Sequence, residues 1–356
     1  MAFRLTIDQG RWQEHLDGVL RREPGLVPVV KGRGYGLGTA LLARRAERLG
    51  VDTVAVGTPA EAQDVLAHFS GDAVVLEPWS GADPAGSRDT AARTVRTVGN
   101  RAGLTAVLDA AGRGDAVAPF LVEVDSSMHR HGVPVALVAR QREALAALAG
   151  TAQAPGPMRG FAVHLPVRGA ERGELERVAT TLTGAGWAGT TLWVSHSGAA
   201  LLREVSARVP ALRLRERVGT RLWLGDRGAL RVTGQVLDVH EVTRGTRVGY
   251  ARWRARTSTV VVVSGGTAHG VGLSAEPAGT LRGGATGIGL ALAAMAGVRP
   301  SPFTLAGRRL RFADTPHMQV SMLALPKGLA PPDVGDAVAC QVRYSITTFD
   351  DVVESR

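Results

Sequence analysis

The chain has one cysteine, Cys340, so it can form no internal disulfide, as expected for a reducing compartment. Aromatic residues make up only 4%. A nucleic-acid binder needs clustered cations beside aromatic stacking platforms. Here 42 lysines and arginines outnumber 32 acids, for a net charge of +10, but they are scattered along the chain. The excess reads as an arginine-rich solvated surface, and no nucleic-acid partner is expected. No run of about eighteen uncharged apolar residues occurs, so no membrane span is expected either. The opening residues "MAFRLTIDQGRWQEHL" lack the basic-then-apolar layout of a signal peptide, and a cytoplasmic protein is expected. A GxGxxG fingerprint followed by an acidic residue is also missing, which counts against an open dinucleotide-binding sheet.

What is present is a chain of 356 residues, 45% hydrophobic, enough for a large core and two domains. Its first two-thirds alternates short apolar runs with amphipathic stretches. The runs are "LVPVV" (26–30), "DTVAVG" (52–57), "DAVVLE" (72–77), "RTVRTV" (93–98), "PFLVEVD" (119–125), "RGFAVHL" (159–165), "TTLWVS" (190–195) and "LRERVGTRLWLG" (214–225). Between them, 39–50, 59–69, 101–112 and 136–150 carry leucine and alanine at three- and four-residue spacing. Repeated β-then-α units predict a (β/α)8 barrel over 1–226, with a doubly wound sheet as the competing arrangement. Beyond 226 the texture turns β-branched and glycine-broken. A mainly β domain is expected over 227–356, with a helical stretch at 285–297 and strands at 318–326 and 336–344.

In such a barrel the active site lies at the C-terminal ends of the strands. "VPVVKGRGYGLG" (27–38) puts Lys31 at the first of them, with glycines following that let backbone approach a flat ring or a phosphate. A nucleophilic lysine must be rigidly held and partly desolvated. A lysine that snorkels before a flexible loop fits the same residues.

The segment "VVKGRGYGLG" resembles the K-A-N-A-Y-G-H-G segment of alanine racemases, pyridoxal-phosphate enzymes built as a barrel plus a β domain. The resemblance continues in order. "VAVGTPAEAQDV" (54–65) resembles the second-strand pattern, "FLVEVDSSMHRHG" (120–132) the K-x-D-T-G-M-x-R-x-G segment and "GFAVHL" (160–165) the G-I-x-x-H-F segment. "SHSGAAL" (195–201) is similar to an N-S-A-A turn, "RERVGTRLWLG" (215–225) to V-R-x-G-x-x-x-Y-G, and "GTRVGYARWRA" (245–255) to the start of the β domain.

The resemblance implies that Lys31 carries pyridoxal 5'-phosphate covalently. It implies that Tyr35, Ser197, Gly219 and Thr220 hold the phosphate, that His164 lies against the ring, and that Arg217 faces the ring nitrogen, with Glu216 next to it in the sequence. Arginine cannot give up its proton, so it leaves that nitrogen unprotonated, which favours racemase chemistry. Arg130 would steer a substrate carboxylate. Glu123 stands where the family commonly has a carbamylated lysine and keeps its negative sign. The resemblance further implies a small amino-acid substrate and a homodimer whose sites are shared with the partner's β domain.

Departures gather in that β domain. The family's second base is a tyrosine in G-Y-A-D-G; the corresponding "GGTAHG" (265–270) has Thr267 there, whose hydroxyl is too weak an acid to replace a phenol. His269, two residues on, is the candidate substitute. Leu37 replaces a histidine and Phe349 a late phosphate-facing tyrosine. The expectation is therefore a divergent alanine-racemase-like isomerase. The alternatives are a one-base pyridoxal-phosphate enzyme (aldolase, lyase or transaminase type) and a cofactor-binding protein without turnover.

Overall fold

A computed structural model describes residues 2–81, 88–150, 156–167, 172–273 and 299–355. The chain forms two compact units. One comprises Glu14–Gly34 and Gly38–Gly225, the other Met1–Gln13, Tyr35–Leu37 and Asp226–Arg356. The second unit takes the N-terminus as well as the chain from Asp226 onward. The reason is strand β1 (Phe3–Asp8), which pairs within that unit.

The first unit holds eight parallel strands: β2 (Val27–Pro28), β3 (Thr53–Val56), β4 (Asp72–Pro78), β5 (Thr94–Val98), β6 (Phe120–Val124), β7 (Met158–His164), β8 (Thr191–Ser195) and β9 (Arg213–Val218). Their order is β2-β9-β8-β7-β6-β5-β4-β3. The ends meet through a parallel bridge between Val29 and Ala55 and a 2.6 Å bond from Val30 N–H to the Ala55 carbonyl. The sheet is thus closed, and the barrel rather than the open sheet is observed. Helices between the strands start on side-chain caps: Thr58 accepts from the Glu61 N–H and Asn100 from the Gly103 N–H. The stretch 136–150 is two helices, Val135–Arg140 and Arg142–Ala149. The run 214–225 is a strand only to Val218. Thr220–Trp223 forms a helical turn in which the buried Trp223 donates its indole N–H to the Val29 carbonyl at 2.8 Å.

Alternation along the strands sorts side chains to the two faces. Val27, Ala55, Val74, Val95, Leu121, Ala162 and Trp193, one from each of β2–β8, fill the barrel interior. The Arg215 guanidinium lies 4.9 Å from the Trp193 ring, pairs with Asp52 and donates to the Gly25 carbonyl. The opposite face of β6–β8, with Val122, Val124, Phe161, Val163, Leu192 and Val194, packs into the helical layer. Strand β7 keeps this register only through a bulge. Phe120 pairs with Met158 but Val122 with Phe161, and Gly160 between them has φ +119°. One inserted residue reverses the facing of everything after it, which turns Ala162 and then His164 inward.

The second unit is antiparallel apart from one edge. It contains β10 (Leu230–Glu241), β11 (Arg247–Val248), β12 (Trp253–Arg254), β13 (Thr259–Ser264), β14 (Pro300–Leu305), β15 (Arg308–Phe312), β16 (Val320–Ala324), β17 (Ala337–Cys340) and β18 (Asp351–Ser355). The main sheet runs β13-β16-β15-β14-β17-β10-β1-β18, and an extra β13–β10 pairing rolls six of these strands into a second barrel. β1 lies antiparallel to β10 and parallel to β18. The strands expected within 318–326 and 336–344 are β16 and β17; the helix expected at 285–297 lies outside the described residues. No helix among the described residues is long and apolar enough to cross a membrane.

The bulge gives a direct test. A Cβ on Gly160 would stand 2.3 Å from the Thr191 carbonyl oxygen in a left-handed conformation. Gly160→Ala is expected to cost about 3 kcal/mol of unfolding free energy. Urea unfolding followed by circular dichroism measures it; a cost below about 1 kcal/mol would show that the bulge is dispensable.

Candidate active site

Two residues beyond the apolar layer, the same inward parity brings up polar side chains. Val29 leads to Lys31, Leu121 to Glu123, Ala162 to His164, Trp193 to Ser195 and Arg215 to Arg217, all at the C-terminal ends of their strands. One rim thus collects Lys31, Glu123, His164 and Arg217.

Lys31 is followed by an unusual turn. Gly32, Arg33, Gly34, Tyr35 and Gly36 all have φ between +55° and +83°. Left-handed backbone costs about 1–2 kcal/mol per residue with a Cβ. Glycine at three of these five positions makes the turn feasible, which is the structural reason for the glycines after the lysine. Glu61 fastens the turn: its carboxylate accepts from the N–H groups of Gly32 and Gly57, each at 2.7 Å. Glu61 was not singled out in the sequence, yet its signal is there: it stands three residues after the helix cap Thr58 in "TPAE". Tyr35, nearly buried, lies within the left-handed turn and is grouped with the β-rich unit.

Arg217 is buried at 4% exposure and donates from Nη2 to the Val163 carbonyl at 3.1 Å, while its Nε and Nη1 have no hydrogen-bond partner. Burial lowers its pKa; the Glu123 charge works against that and Arg130 adds to it. Glu216 faces the other way. It accepts from the Gly198 N–H and from Arg221, which also pairs with Glu23. Arg217 is therefore the residue of this pair on the barrel's inner side.

Glu123 is 1% exposed, its Oε1 lacks a hydrogen bond, and Arg130 Nη2 stands 4.0 Å away. The loop bearing Arg130 is tied down on both sides: Ser126 donates its hydroxyl to the His164 carbonyl, and Ser127 gives both its N–H and its hydroxyl to Glu174. Lys31 feels this crowd. Partial burial lowers its pKa first, Arg130 and Arg217 lower it further, and Glu61 partly offsets them.

His164 and His196 meet edge to face with centroids 5.0 Å apart. Burial, with Arg217 and Arg130 next, pushes the His164 pKa down to about 3. His196 is lowered for similar reasons, burial first and then Lys31. The Nδ1 of His164 and the Oγ of Ser197 are buried without partners. Gly219 precedes the turn at Thr220 and accepts, through its carbonyl, from the N–H groups of Leu222 and Trp223.

Four side chains at one barrel rim thus keep buried polar atoms without partners. Each costs about 1–3 kcal/mol until a partner is supplied. Cations dominate, so the complementary ligand is anionic and carries hydrogen-bond acceptors.

Comparison with known proteins identifies the family. The model of the family "Alanine racemase, N-terminal domain" matches residues 7–220, more than half of the chain. The chain belongs to the alanine racemase family. Among solved structures, alanine racemase from Bartonella henselae with covalently bound pyridoxal phosphate aligns over 100% of both chains at 15% identity with a TM-score of 0.72. The biosynthetic alanine racemase of Pseudomonas aeruginosa aligns over 100% of this chain and 99% of that one, at 21% identity and a TM-score of 0.69. That of Clostridium difficile 630 aligns over 99% and 96%, at 16% and 0.69. No curated protein sequence gives a significant match.

The β-rich unit treats His269 differently from the barrel residues. It is 4% exposed, its Nδ1 accepts from the Gly266 N–H at 3.1 Å, and its Nε2 lies 3.0 Å from Asp350 Oδ1. Since Gly266 is the donor, the ring proton sits on Nε2 and is given to Asp350. Both nitrogens are spent on holding the loop, and Phe3 covers the ring at 5.2 Å. Thr267 hydrogen-bonds through its N–H to the His317 carbonyl at 2.8 Å.

The His164 environment sets a pH dependence. Its folded pKa, about 3, lies below the ordinary 6.5. The stability held by the neutral ring is complete above about 6.5 and is lost as pH falls toward 3. Imidazole NMR at pH 5 should find His164 neutral, and His164→Gln should flatten the acid limb of the stability profile. A His164 that titrates near 6.5 would contradict the cationic field assigned to this rim.

Proposed function

We propose that the chain is a pyridoxal-phosphate-dependent enzyme acting at the Cα of a small amino acid, with alanine-racemase-type chemistry. The observation that carries this is Lys31, with a lowered pKa, on a barrel rim where His164, Ser197 and Arg217 keep buried polar atoms unpaired. These residues fit pyridoxal 5'-phosphate: an amine for covalent attachment, donors for acceptor atoms, and a net positive field for a phosphate. Lys31 would hold the group, Tyr35, Ser197, Gly219 and Thr220 its phosphate, His164 its ring face and Arg217 its ring nitrogen. When bound, the cofactor supplies an electron-withdrawing ring that lowers the acidity barrier at the substrate Cα.

The rest follows from the side chains. Arg217 can donate a hydrogen bond to an acceptor nitrogen but cannot yield the proton, which restrains the electron sink. Neutral His164 keeps a positive charge off the ring face. Arg130 pairs with the substrate carboxylate, with the buried Glu123 balancing its charge. Lys31, its pKa lowered by burial and by the two arginines, is neutral in a larger fraction and takes or returns the Cα proton on one face. Inversion needs a second acid on the other face. Neither Thr267, a weak acid, nor His269, with both nitrogens bonded, supplies it in this chain. That observation favours a second reading, a one-base reaction on one enantiomer. In either reading the β-rich unit of a second copy completes the site in a homodimer.

Borohydride reduction of the cofactor-loaded protein followed by peptide mapping should label Lys31, and light scattering of the same sample should give the mass of two chains. An unlabelled Lys31 sinks the cofactor assignment, and a monomer removes the shared site.

Amino acids incubated with the enzyme in deuterated water should exchange the Cα proton of one enantiomer faster than they invert. The expected gap is about a hundred- to ten-thousand-fold, the usual cost of a missing positioned acid. Thr267→Tyr should narrow the gap, and His269→Ala should lower stability rather than change the ratio of exchange to inversion. Rapid inversion in both directions would show that a second acid is already in place.

A further inference from the structure

We propose that the β-rich unit carries an anion site for a multiply charged, phosphate-bearing small molecule, in a groove lined by Arg244, Arg256, Arg308, Arg309, Arg311 and Lys327. The groove has a volume of about 900 Å3, and no carboxylate stands among the described residues that line it. The six cations come from four places in the sequence: 244, 256, 308–311 and 327. Pairing of β15 with β16 and of β13 with β16 brings the hairpin residues 308–311 beside 324–327 and the entry to β13.

Five of these six charges are not spent on carboxylates of the described residues. Arg309 donates to the Ser301 carbonyl at 2.7 Å and Arg308 to the Lys327 carbonyl at 3.4 Å, both neutral acceptors. Arg244, Arg308, Arg309, Arg311 and Lys327 have no carboxylate partner among the described residues. An adjoining hollow of about 280 Å3 shares Arg256 and Arg311 and adds Arg299, whose guanidinium is stacked over Trp253 at 3.1 Å. Burial and the nearby Arg256 lower the Arg299 pKa, against the pull of Asp314, as expected where like charges gather.

Several cations held at one concavity repel each other, and a ligand with one negative charge relieves only part of that. Guanidinium groups suit phosphate oxygens through paired N–H donors. Among the described residues no aromatic side chain lines the groove itself; the smaller hollow has Phe312 and Trp253, the latter already covered by Arg299, so the cation-lined groove offers no platform for stacked bases. This favours a compact polyphosphate over a nucleic-acid strand. The inference uses only the β-rich unit and stands whether or not the barrel binds pyridoxal phosphate.

Sodium tripolyphosphate titrated into the protein as purified, by calorimetry at 50 and 200 mM salt, tests it. Saturable binding is expected that weakens with salt, and orthophosphate should bind at least about tenfold more weakly. Arg244→Gln with Arg311→Gln, both exposed side chains, should reduce affinity at least about tenfold at an unchanged thermal midpoint. Arg308→Gln with Lys327→Gln is an independent pair and should do the same. ATP as tight as tripolyphosphate would mean that the phosphates alone are read, and tighter ATP that the nucleoside is read as well. Absent binding, affinity unchanged in both variant pairs, or tighter binding of a single-stranded RNA oligomer through the same residues would overturn the proposal.

Discussion

A guanidinium buried in a barrel is the constraint around which the first unit is arranged. Arg217 keeps one hydrogen bond, to the Val163 carbonyl, and leaves two nitrogens without partners. A buried charge persists only when something nearby compensates it. Glu123 is that compensation. Its own burial and unpaired oxygen make sense only beside Arg217 and Arg130. Burial comes first and the same positive field adds to it in setting the state of its neighbours: His164 stays neutral, and Lys31 is held below the ordinary lysine range. Removing the arginine charge would ease both shifts together without abolishing either, because burial is the larger cause of each. The lowered lysine and the neutral histidine thus share a contribution from one buried guanidinium, added to the burial of each.

This rim exists because strand alternation is kept strictly, and in β7 because it is deliberately broken. In β6, β7 and β8 the apolar interior residues Leu121, Ala162 and Trp193 are followed two residues later by Glu123, His164 and Ser195. In β7 the count works only with the extra residue at Gly160, since Met158 and Phe161, three apart, both face the helices. The apolar runs of the sequence reveal that a strand is there. They do not reveal its facing, because a run buried on both faces carries no period-2 signal. A glycine within a strand run is the one local hint of the bulge.

Other parts of the fold escaped for reasons of the same kind. β1 reads locally as six alternating residues, and its partners lie more than 220 residues away. Thr220–Trp223 has strand-like composition, but Gly219 ends β9 and the Trp223 indole is drawn to Val29. Lys31, His164, Ser197 and Arg217 were legible because each sits at the end of an apolar run in a fixed order. Glu61 was not, because a helix cap and a site fastener look alike in sequence. His269 shows the converse: a histidine in a glycine-rich loop reads as available, while its burial under Phe3 and its bond to Asp350 depend on the chain's two ends meeting.

The net charge of +10 divides along the same line between local and distant information. Read along the chain, the arginines are dispersed and suggest a solvated surface. In the folded chain they fall into two groups governed by opposite physics. In the barrel, burial limits the cations to a few, each balanced or lowered in pKa by its neighbours, so the field is strong because little water enters. On the β-rich unit, the cations of 244, 256, 308–311 and 327 are exposed and numerous, and their concentration arises from antiparallel pairing that folds distant segments side by side. A linear scan for clustered charge misses the first group, which has too few members in any window, and sees only 308–311 of the second, whose other members join when β13, β15 and β16 come together. Dispersal of most like charges along the sequence is therefore no argument against a charged site when the segments bearing them belong to one sheet.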